Sequence, residues 1–282
     1  MTELEQTRRI AEQIGDEGEI KPLSGGTSNA IFASSSFVYR IKRPHLVDEI
    51  DSPEREMLAV DLSMGCPCLP EVLYFDGRGN KAERRLDGIT VSQKGVDEAD
   101  FPAIIKAIEQ LHAMPESEYR FDLVQRYWQY KDHSGIKGYI SPFERNVMAY
   151  ASHRIEQFPH RLSHNDLWGG NILIDGGQAK LIDLEFASTA PEVFDYLSFV
   201  EENGLTLGQA KSFFGLSGLK MDFDDFVLLT YALDIIWAYW ALCRQKETGH
   251  GKDIARAKLR RLYRGWAVIK ARLDYYAGLI GC

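Results

Sequence analysis

A short segment in the middle of the chain carries three polar side chains at fixed spacing, and a fourth follows soon after. The segment runs from His164 through Asp166 to Asn171, and Asp183 stands twelve residues further on. A carboxylate beside a hydroxyl can accept its proton, and carboxylate and amide oxygens are the ligands that magnesium prefers. Phosphoryl transfer needs both parts, because its catalysis is mostly positioning and charge stabilisation. The pattern therefore predicts Asp166 as a general base and Asn171 and Asp183 as magnesium ligands.

The spacing within this segment is that of the protein-kinase catalytic loop. Asp166 and Asn171 are separated by four residues, and His164 takes the position of the histidine that leads the loop. Asp183 follows an apolar run, where kinases place the aspartate of Asp-Phe-Gly, although residues 183–185 read Asp-Leu-Glu here. Any one of these residues could simply cap a turn. Their combined spacing favours a kinase, with His164 and Asp166 as the catalytic pair.

A small-residue loop and a basic strand residue upstream could contact the phosphates of ATP. The loop consists of Ser24, Gly25, Gly26, Thr27, Ser28 and Asn29. Its backbone N–H groups could approach phosphate oxygens, although an ordinary hairpin turn would look the same. Arg40 lies where kinases place their phosphate-binding lysine, and Glu56 on the following helix is its predicted ion-pair partner. Lys42 shares the strand face of Arg40, so the choice between these two cations stays open.

The elements that must position these residues begin with a β-rich part. Residues 31–41 contain two runs of β-formers, which predict antiparallel strands. Ser52 and Pro53 mark the start of a helix. Two further strands, at 71–75 and 81–86, flank a turn. The pattern predicts a small N-terminal nucleotide-binding lobe over residues 1–88 and a C-terminal catalytic and acceptor-binding lobe over residues 89–282.

The remainder of the chain has helical periodicity from Phe101 onward. The exception is 161–187, where two short apolar strands surround the turn Asp175–Gly177. The last predicted helix has apolar residues at alternating steps of three and four, namely Leu259, Leu262, Trp266, Ile269, Leu273 and Tyr276. The predicted fold class is therefore α+β, with a small antiparallel sheet followed by a larger, mainly helical lobe.

Composition limits the possible partners. The 282 residues are 45% hydrophobic and 26% charged, with a net charge of −8, which is typical of a globular chain and gives nucleic acid no basic footprint. An acidic chain suits a cationic substrate. Neither an apolar leader nor a run of about 18 apolar residues is present, so we expect a cytoplasmic protein without a membrane span. The four cysteines are expected to be free thiols, and the one-residue spacing of Cys66 and Cys68 disfavours zinc.

The sequence resembles the choline/ethanolamine kinase branch of the aminoglycoside-phosphotransferase-like fold, a relative of protein kinases, along nearly its whole length. The segments that carry the resemblance are residues 39–41, 164–173, 182–186, 194–196 with Glu202, and 237–240. The resemblance implies a kinase-like two-lobe fold, ATP in the cleft between the lobes, and adenine bound to the backbone near 83–86, where Arg85 is counted among the nucleotide-binding residues. It also implies that Asp166 is the base, that Asn171 and Asp183 hold Mg²⁺, and that Arg40 faces phosphate.

The acceptor site is predicted from two neighbouring tryptophans on one helix. Trp237 and Trp240 stand three residues apart on a predicted helix at 224–245, so both rings lean to one side. Such rings can hold a quaternary ammonium by cation–π attraction, although tryptophans at this spacing also fill cores. The predicted supporting residues are Tyr239 or Phe186, Glu185 and Glu202.

Choline or a similar amino alcohol is therefore the predicted acceptor. The chain has Phe186 where the family tends to have Tyr, and Ser198 where it tends to have Asn. These departures leave other cationic alcohols open, namely aminoglycosides, thiamine and ethanolamine. The alternative outside the enzymes is a catalytically silent module that binds a nucleotide. The sequence does not indicate an oligomeric state.

Overall fold

The computed structural model describes residues 1–23, 29–43, 52–249, 251–265 and 267–271. Several sequence predictions fall on residues outside these ranges. They are the phosphate-loop residues Ser24, Gly25, Gly26, Thr27 and Ser28, the last-helix residues Trp266, Leu273 and Tyr276, and Cys282.

The described N-terminal residues form one antiparallel sheet flanked by helices. The elements are α1 (Glu3–Ile14), β1 (Lys21–Pro22), β2 (Ala30–Ala33), β3 (Phe37–Ile41), α2 (Pro53–Leu62), β4 (Val72–Phe75) and β5 (Lys81–Arg84). The five strands stand in the order β1-β2-β3-β5-β4. Apolar side chains of the sheet, such as Phe32 and Tyr39, pack with Ile10 of α1. Because β3 is central, the backbone of Arg40 is paired on both sides, with Ile31 of β2 and Lys81 of β5.

The predicted starts and turns of this part are confirmed. Ser52 caps α2 by accepting a hydrogen bond from the Arg55 N–H, and Pro53 occupies the first turn. Asp76 closes the turn between β4 and β5, because its carboxylate accepts the backbone N–H groups of Arg78 and Asn80. The strand β5 ends at Arg84, two residues earlier than predicted, although the Arg85 N–H still donates to the Ser36 carbonyl at 2.8 Å.

The described residues after Arg84 are mainly helical, with two small sheets. The helices are α3 (Val91–Lys94), α4 (Phe101–His112), α5 (Leu123–Ser134), α6 (Glu144–Ile155), α7 (Val193–Glu202), α8 (Leu207–Ser217), α9 (Phe223–Thr248) and α10 (Lys252–Arg264). The strands are β6 (Ile89–Thr90), β7 (His160–Ser163), β8 (Ile172–Asp175), β9 (Gln178–Leu181) and β10 (Ser188–Pro191). They pair as β6-β8-β9 and as β10-β7, all antiparallel. The predicted α+β fold, a small antiparallel sheet followed by a helical part, is confirmed.

The hairpin of β8 and β9 connects the two halves of the candidate site. Its loop is Gly176-Gly177, and both residues have positive φ, 53° and 78°, as a two-residue type I′ turn requires. At the open end, the Ile182 N–H donates to the Asn171 carbonyl at 3.0 Å. The hairpin thereby brings Asn171, at its start, beside the segment that leads to Asp183.

Helix α9 forms the centre of the larger hydrophobic cluster. It begins after Asp222, whose side chain accepts the Asp225 N–H, and ends at Gly249 with φ 73°. Among the described residues, α9 is the one helix long and apolar enough to cross a membrane, with a window of mean hydropathy 1.7 that is 72% buried inside the protein. Such burial is what the central helix of a globular domain shows. Leu262 and Ile269 pack against the same cluster.

The sheet of the N-terminal part ends at Arg84, whereas Ile89 pairs with Ile174 of β8. We therefore retain Gly88 as the proposed boundary between the lobes. Cys66, Cys68 and Cys243 are buried free thiols, and the Sγ atoms of Cys66 and Cys68 lie 3.3 Å apart.

Candidate active site

The predicted catalytic loop is held in place by Asp195 on α7. One carboxylate oxygen of Asp195 accepts the His164 N–H at 2.9 Å and the other accepts the Asn165 N–H at 2.7 Å. The Nε2 atom of His112 on α4 lies 2.9 Å from the same carboxylate. Burial opposes the charge of this fully buried carboxylate, but the His112 contact and the backbone donors hold the pKa of Asp195 below its usual value. Two helices thus fix the backbone just before Asp166.

His164 links the catalytic loop to the strand end before Asp183. Its Nε2 lies 2.9 Å from the Ile182 carbonyl, and its Nδ1 accepts the Asp166 N–H at 3.3 Å. A carbonyl can only accept, so Nε2 carries the proton. His164 is fully buried and joins the Ile182 carbonyl to the Asp166 N–H, and its membership of the catalytic pair stays a prediction.

Asn165 stores backbone strain between these two residues. Its backbone φ is 64°, in the left-handed region that residues other than glycine rarely adopt. Its amide nitrogen donates to the Phe186 carbonyl at 3.0 Å and lies 3.1 Å from the Ser188 hydroxyl. These bonds, together with Asp195, stabilise the strained turn and tie it to the segment that follows Asp183.

Asp166 and Asn171, predicted as base and metal ligand, are in direct contact. The Asn171 amide nitrogen donates to the Asp166 carboxylate at 2.9 Å and to the Asp166 carbonyl at 3.0 Å. Burial raises the pKa of Asp166 well above its usual value, the negative charges of Glu202, Glu185 and Asp183 add to this effect, and the Asn171 bond opposes it. A carboxylate with a raised pKa is a stronger base once it is ionised.

Asp183 joins this pair to the N-terminal sheet. It has φ 67° and a side chain that is 35% exposed, and one of its oxygens accepts a hydrogen bond from Arg40 at 3.0 Å. Arg40 also pairs with Glu56 at 2.5 Å and donates to the Gly79 carbonyl at 3.0 Å. Burial alone would raise the pKa of Asp183, but the charges of Arg40 and Lys81 lower it. The predicted Arg40–Glu56 ion pair is therefore in contact with Asp183, the predicted metal ligand.

The donor set is compatible with magnesium. Because the amide nitrogen of Asn171 is used by Asp166, its amide oxygen is the atom left for a cation. Asp183 has a second carboxylate oxygen that is without a hydrogen-bond partner among the described residues. In that same part of the chain, groups of three or more His, Cys, Asp or Glu side chains that could hold a metal are absent. Magnesium bound with a nucleotide needs only one or two protein ligands, since phosphates and water complete its shell.

Glu185 lies on the side of the site that faces the N-terminal sheet. Its carboxylate is 3.5 Å from the amide nitrogen of Asn29 and 4.0 Å from the Lys42 ammonium. Burial raises the pKa of Glu185 to about 8, the Asp183 charge adds to this, and Arg40 opposes it. Lys42 therefore has an acidic neighbour of its own, whereas Arg40 is the cation that contacts Asp183.

The predicted aromatic residues meet in one cluster. Phe186 and Trp237 have ring centroids 5.6 Å apart, Trp237 and Trp240 have centroids 5.7 Å apart, and both pairs are edge-to-face. Trp237 is 8% exposed, and its indole N–H has no hydrogen-bond partner among the described residues. Tyr239 has other direct partners, because its ring packs against Tyr127 and its hydroxyl donates to Glu144 at 2.8 Å. Phe186, of the two supports predicted, is the one that contacts Trp237.

Two other predicted residues have partners that the sequence did not indicate. Glu202, the last residue of α7, pairs with Lys258 of α10. Arg85 donates to the Ser34 carbonyl at 2.9 Å, at the end of β3 opposite to Arg40. A role of the Arg85 side chain in nucleotide binding stays a prediction.

Sequence reasoning missed the residues that position the loop. Ser198 accepts the Leu167 N–H through its hydroxyl at 3.0 Å, and Asn203 donates to the Leu167 carbonyl at 2.9 Å. His112 bonds Asp195 from another helix. The signal for Asp195 in the sequence is an aspartate within the apolar helix α7, and the segment Phe194–Tyr196 otherwise enters only through the family resemblance.

Comparison with known proteins agrees with this geometry. A model of the phosphotransferase enzyme family (APH) matches residues 19–210, and no curated protein sequence matches the chain significantly. The fold is similar to a choline/ethanolamine kinase family protein from Mesorhizobium loti, with 18% identity, a TM-score of 0.73 and 94% of each chain covered. It is also similar to choline kinase LicA from Streptococcus pneumoniae, with 18% identity, a TM-score of 0.76, and 94% of this chain and 99% of LicA covered.

An aminoglycoside 2'-phosphotransferase-IIIa variant, solved with GDP, is similar as well, with 15% identity, a TM-score of 0.67, and 96% of this chain and 100% of that chain covered. At such identities the structures share the fold. The family match spans about two thirds of the chain and includes every residue from His164 to Asp183. The chain therefore belongs to the phosphotransferase enzyme family.

Proposed function

We propose that this protein is a magnesium-dependent kinase that transfers the γ-phosphoryl group of ATP to the hydroxyl of a small cationic alcohol. The observation that carries the proposal is the convergence of Asp166, Asn171 and Asp183. Asn171 bonds the Asp166 carboxylate, its carbonyl accepts the Ile182 N–H next to Asp183, and Asp183 bonds Arg40. Asp166 would accept the proton of the attacking hydroxyl. Bound magnesium would neutralise the phosphate charge in the transition state.

The nucleotide is assigned to the side of the site next to the N-terminal sheet. Arg40 and the sequence-predicted loop Ser24–Asn29 would face the phosphates. The N–H groups of Arg84 and Arg85 already bond the Glu71 and Ser36 carbonyls, so the adenine contact predicted near 83–86 falls to another group, such as the Leu86 N–H. The LicA structure has also been solved with AMP, which supports a nucleotide site in this fold.

The acceptor is assigned to the aromatic cluster, with choline or a similar amino alcohol as the first candidate. Phe186 follows the metal-side segment directly and contacts Trp237, so the rings are connected to the site of transfer. A quaternary ammonium is held by aromatic faces because it has no N–H to donate. Ethanolamine, thiamine and aminoglycosides remain alternative acceptors, the last of these favoured by the similarity to an aminoglycoside phosphotransferase. The proposed location is the cytoplasm, with no membrane span and no nucleic-acid partner.

A phosphoryl-transfer assay with radiolabelled ATP and a panel of alcohols tests the proposal. We expect magnesium-dependent labelling of at least one cationic alcohol, and we expect Asp166→Asn to lower kcat by about 10²–10⁴-fold while nucleotide affinity stays within about twofold. This substitution keeps an oxygen that Asn171 can bond. A silent nucleotide-binding module would bind ATP without labelling any alcohol, and a variant that retains more than about a tenth of the wild-type kcat would remove Asp166 from the role of base.

A further inference from the structure

A largely buried group of charges joins the end of α7 to α9 and α10. Glu201 and Glu202 end α7, Asp234 comes from α9, and Lys258 and Arg261 come from α10. Lys258 contacts Glu201 at 2.6 Å and lies 3.8 Å from Asp234, and Arg261 contacts Asp234 at 2.7 Å. The group holds three carboxylates and two cations, so its nominal charge is −1.

Glu202 is the member of this group that is adjacent in sequence to a residue in contact with the catalytic loop. Its side chain is 18% exposed, whereas Lys258 is 4% exposed. The next residue, Asn203, donates to the Leu167 carbonyl at 2.9 Å, directly after Asp166. The negative charge of Glu202 also contributes to the raised pKa of Asp166. A cationic acceptor whose hydroxyl meets Asp166 would therefore encounter Glu202 as the nearby carboxylate on this side.

We infer that Lys258 determines the acceptor specificity of the site, because its ammonium already neutralises the carboxylate that a cationic acceptor would otherwise use. The inference rests on the proposed function, and it changes the prediction for Glu202. An acceptor ammonium has to compete with an internal ammonium held at contact distance by two glutamates. The wild-type site consequently favours cations through its aromatic rings rather than through Glu202, and it admits neutral alcohols of the same shape.

Removal of Lys258 should convert Glu202 into a cation site. Without Lys258 the group has a nominal charge of −2, and Glu202, which is its partly exposed carboxylate, would attract the acceptor. The measured quantities are the dissociation constants of choline and of 3,3-dimethylbutan-1-ol, its uncharged isostere, determined by calorimetry. We expect Lys258→Met to bind choline at least about fivefold more tightly, and the isostere unchanged. Lys258→Arg, which keeps the charge, should behave as the wild type.

The effect of Glu202→Gln decides the inference. In the wild type it should weaken choline binding by less than about threefold, whereas in Lys258→Met it should reverse the gain. A larger loss in the wild type, or a gain below about threefold in Lys258→Met, would overturn the inference. If Lys258→Met does not fold, as judged by thermal unfolding, the comparison of wild type with Glu202→Gln alone decides by the same threshold.

The proposed function is judged separately, by phosphoryl transfer in the wild type. Transfer to an alcohol together with a large effect of Glu202→Gln would support the kinase and refute the role of Lys258. Absence of transfer to every alcohol would refute the kinase, while the calorimetric comparison would still accept or reject Lys258 as the counter-ion of Glu202.

Discussion

Asp183 and Asn165 are the residues other than glycine that have positive φ among those described, at 67° and 64°. Each such conformation costs on the order of 1–3 kcal/mol and persists only when neighbours enforce it. Arg40 holds Asp183, and Asp195 holds the backbone of Asn165. Strain is therefore concentrated at the two turns that carry the proposed base and metal ligand, which supports their assignment as functional positions.

Substitution of Asp183 by Asn should raise the magnesium requirement. Asn tolerates the left-handed backbone, so the substitution removes charge without adding strain. Losing one carboxylate ligand of a hard cation should raise the magnesium concentration at half-maximal rate by about tenfold or more. Magnesium titrations of kcat measure this. Asp253→Asn, at a side chain that is 98% exposed on α10, is the control, and curves that superimpose for Asp183→Asn would place the ion elsewhere, for instance at Glu185.

Substitution of Trp237 by Leu should weaken choline binding with little effect on ATP. One aromatic wall is worth about 0.5–2 kcal/mol to a quaternary ammonium, or roughly 2- to 30-fold in affinity. Leu keeps the buried position apolar, which protects the packing against Phe186. Trp128→Leu on α5, at a half-exposed ring, is the matched control. Equal choline affinity in wild type and Trp237→Leu would mean that this ring only fills the core.

At the scale of elements, local signals in the sequence were sufficient for most starts and turns. Ser52 with Pro53 marked α2, and Gly176-Gly177 marked the β8–β9 hairpin, because caps and tight turns depend on neighbouring residues. The helix at 224–245 was placed within three residues of the ends of α9. The catalytic loop was found for the same reason, since all its members lie within eight residues.

Contacts between distant elements could not be read in this way. Asp195 lies 31 residues after His164, and Lys258 lies 56 residues after Glu202. These contacts depend on how α7 packs against the catalytic loop and on how α10 packs against α9. Neighbouring residues in one sequence do not indicate such packing. Tyr239 illustrates the same limit, because its direction on α9 is set by Glu144 of α6.

Helix α7 should control both the stability and the activity of the loop through Asp195. In Asp195→Asn, the new amide N–H₂ faces backbone donors, so at least one buried N–H loses its acceptor, at a cost of about 1–3 kcal/mol in the free energy of unfolding. Displacement of the loop should lower kcat by about 10²-fold. Urea unfolding and steady-state kinetics measure the two effects. Asp225→Asn, at another fully buried aspartate that pairs with Arg154, should lower stability but not kcat.

The stability effect of Asp195 should depend on pH with a defined sign. The pKa of Asp195 is lowered in the folded protein relative to 3.8, so its stabilisation is complete above that pH and is lost as the pH falls through the folded pKa. His112 and the His164 and Asn165 N–H groups are the partners that face it. The gap in unfolding free energy between wild type and Asp195→Asn should therefore shrink as the pH falls below about 4. A gap that does not shrink below that pH would contradict this account.

At the scale of the whole molecule, the N-terminal sheet contacts the catalytic part through residues 183–185. Arg40 bonds Asp183, and Asn29 and Lys42 lie next to Glu185. Arg40, Asn29 and Asp183 are also proposed neighbours of the nucleotide or of its metal. Binding should therefore reinforce the junction between the two parts, since the phosphates and magnesium add new links between groups that already meet there.

A non-hydrolysable ATP analogue should raise the melting temperature only when magnesium is present. A ligand that binds the folded state at about 100 times its Kd adds about 2.7 kcal/mol, which corresponds to about 5 °C in a chain of this size. Thermal unfolding followed by fluorescence measures the shift, with analogue and magnesium added separately and together. In Asp183→Asn the shift should fall by more than half, because the carboxylate that joins metal and Arg40 is lost, whereas Asp253→Asn should retain it. An equal shift without magnesium, or in Asp183→Asn, would show that the nucleotide is held by the sheet alone, and the junction at residues 183–185 would then have no part in binding.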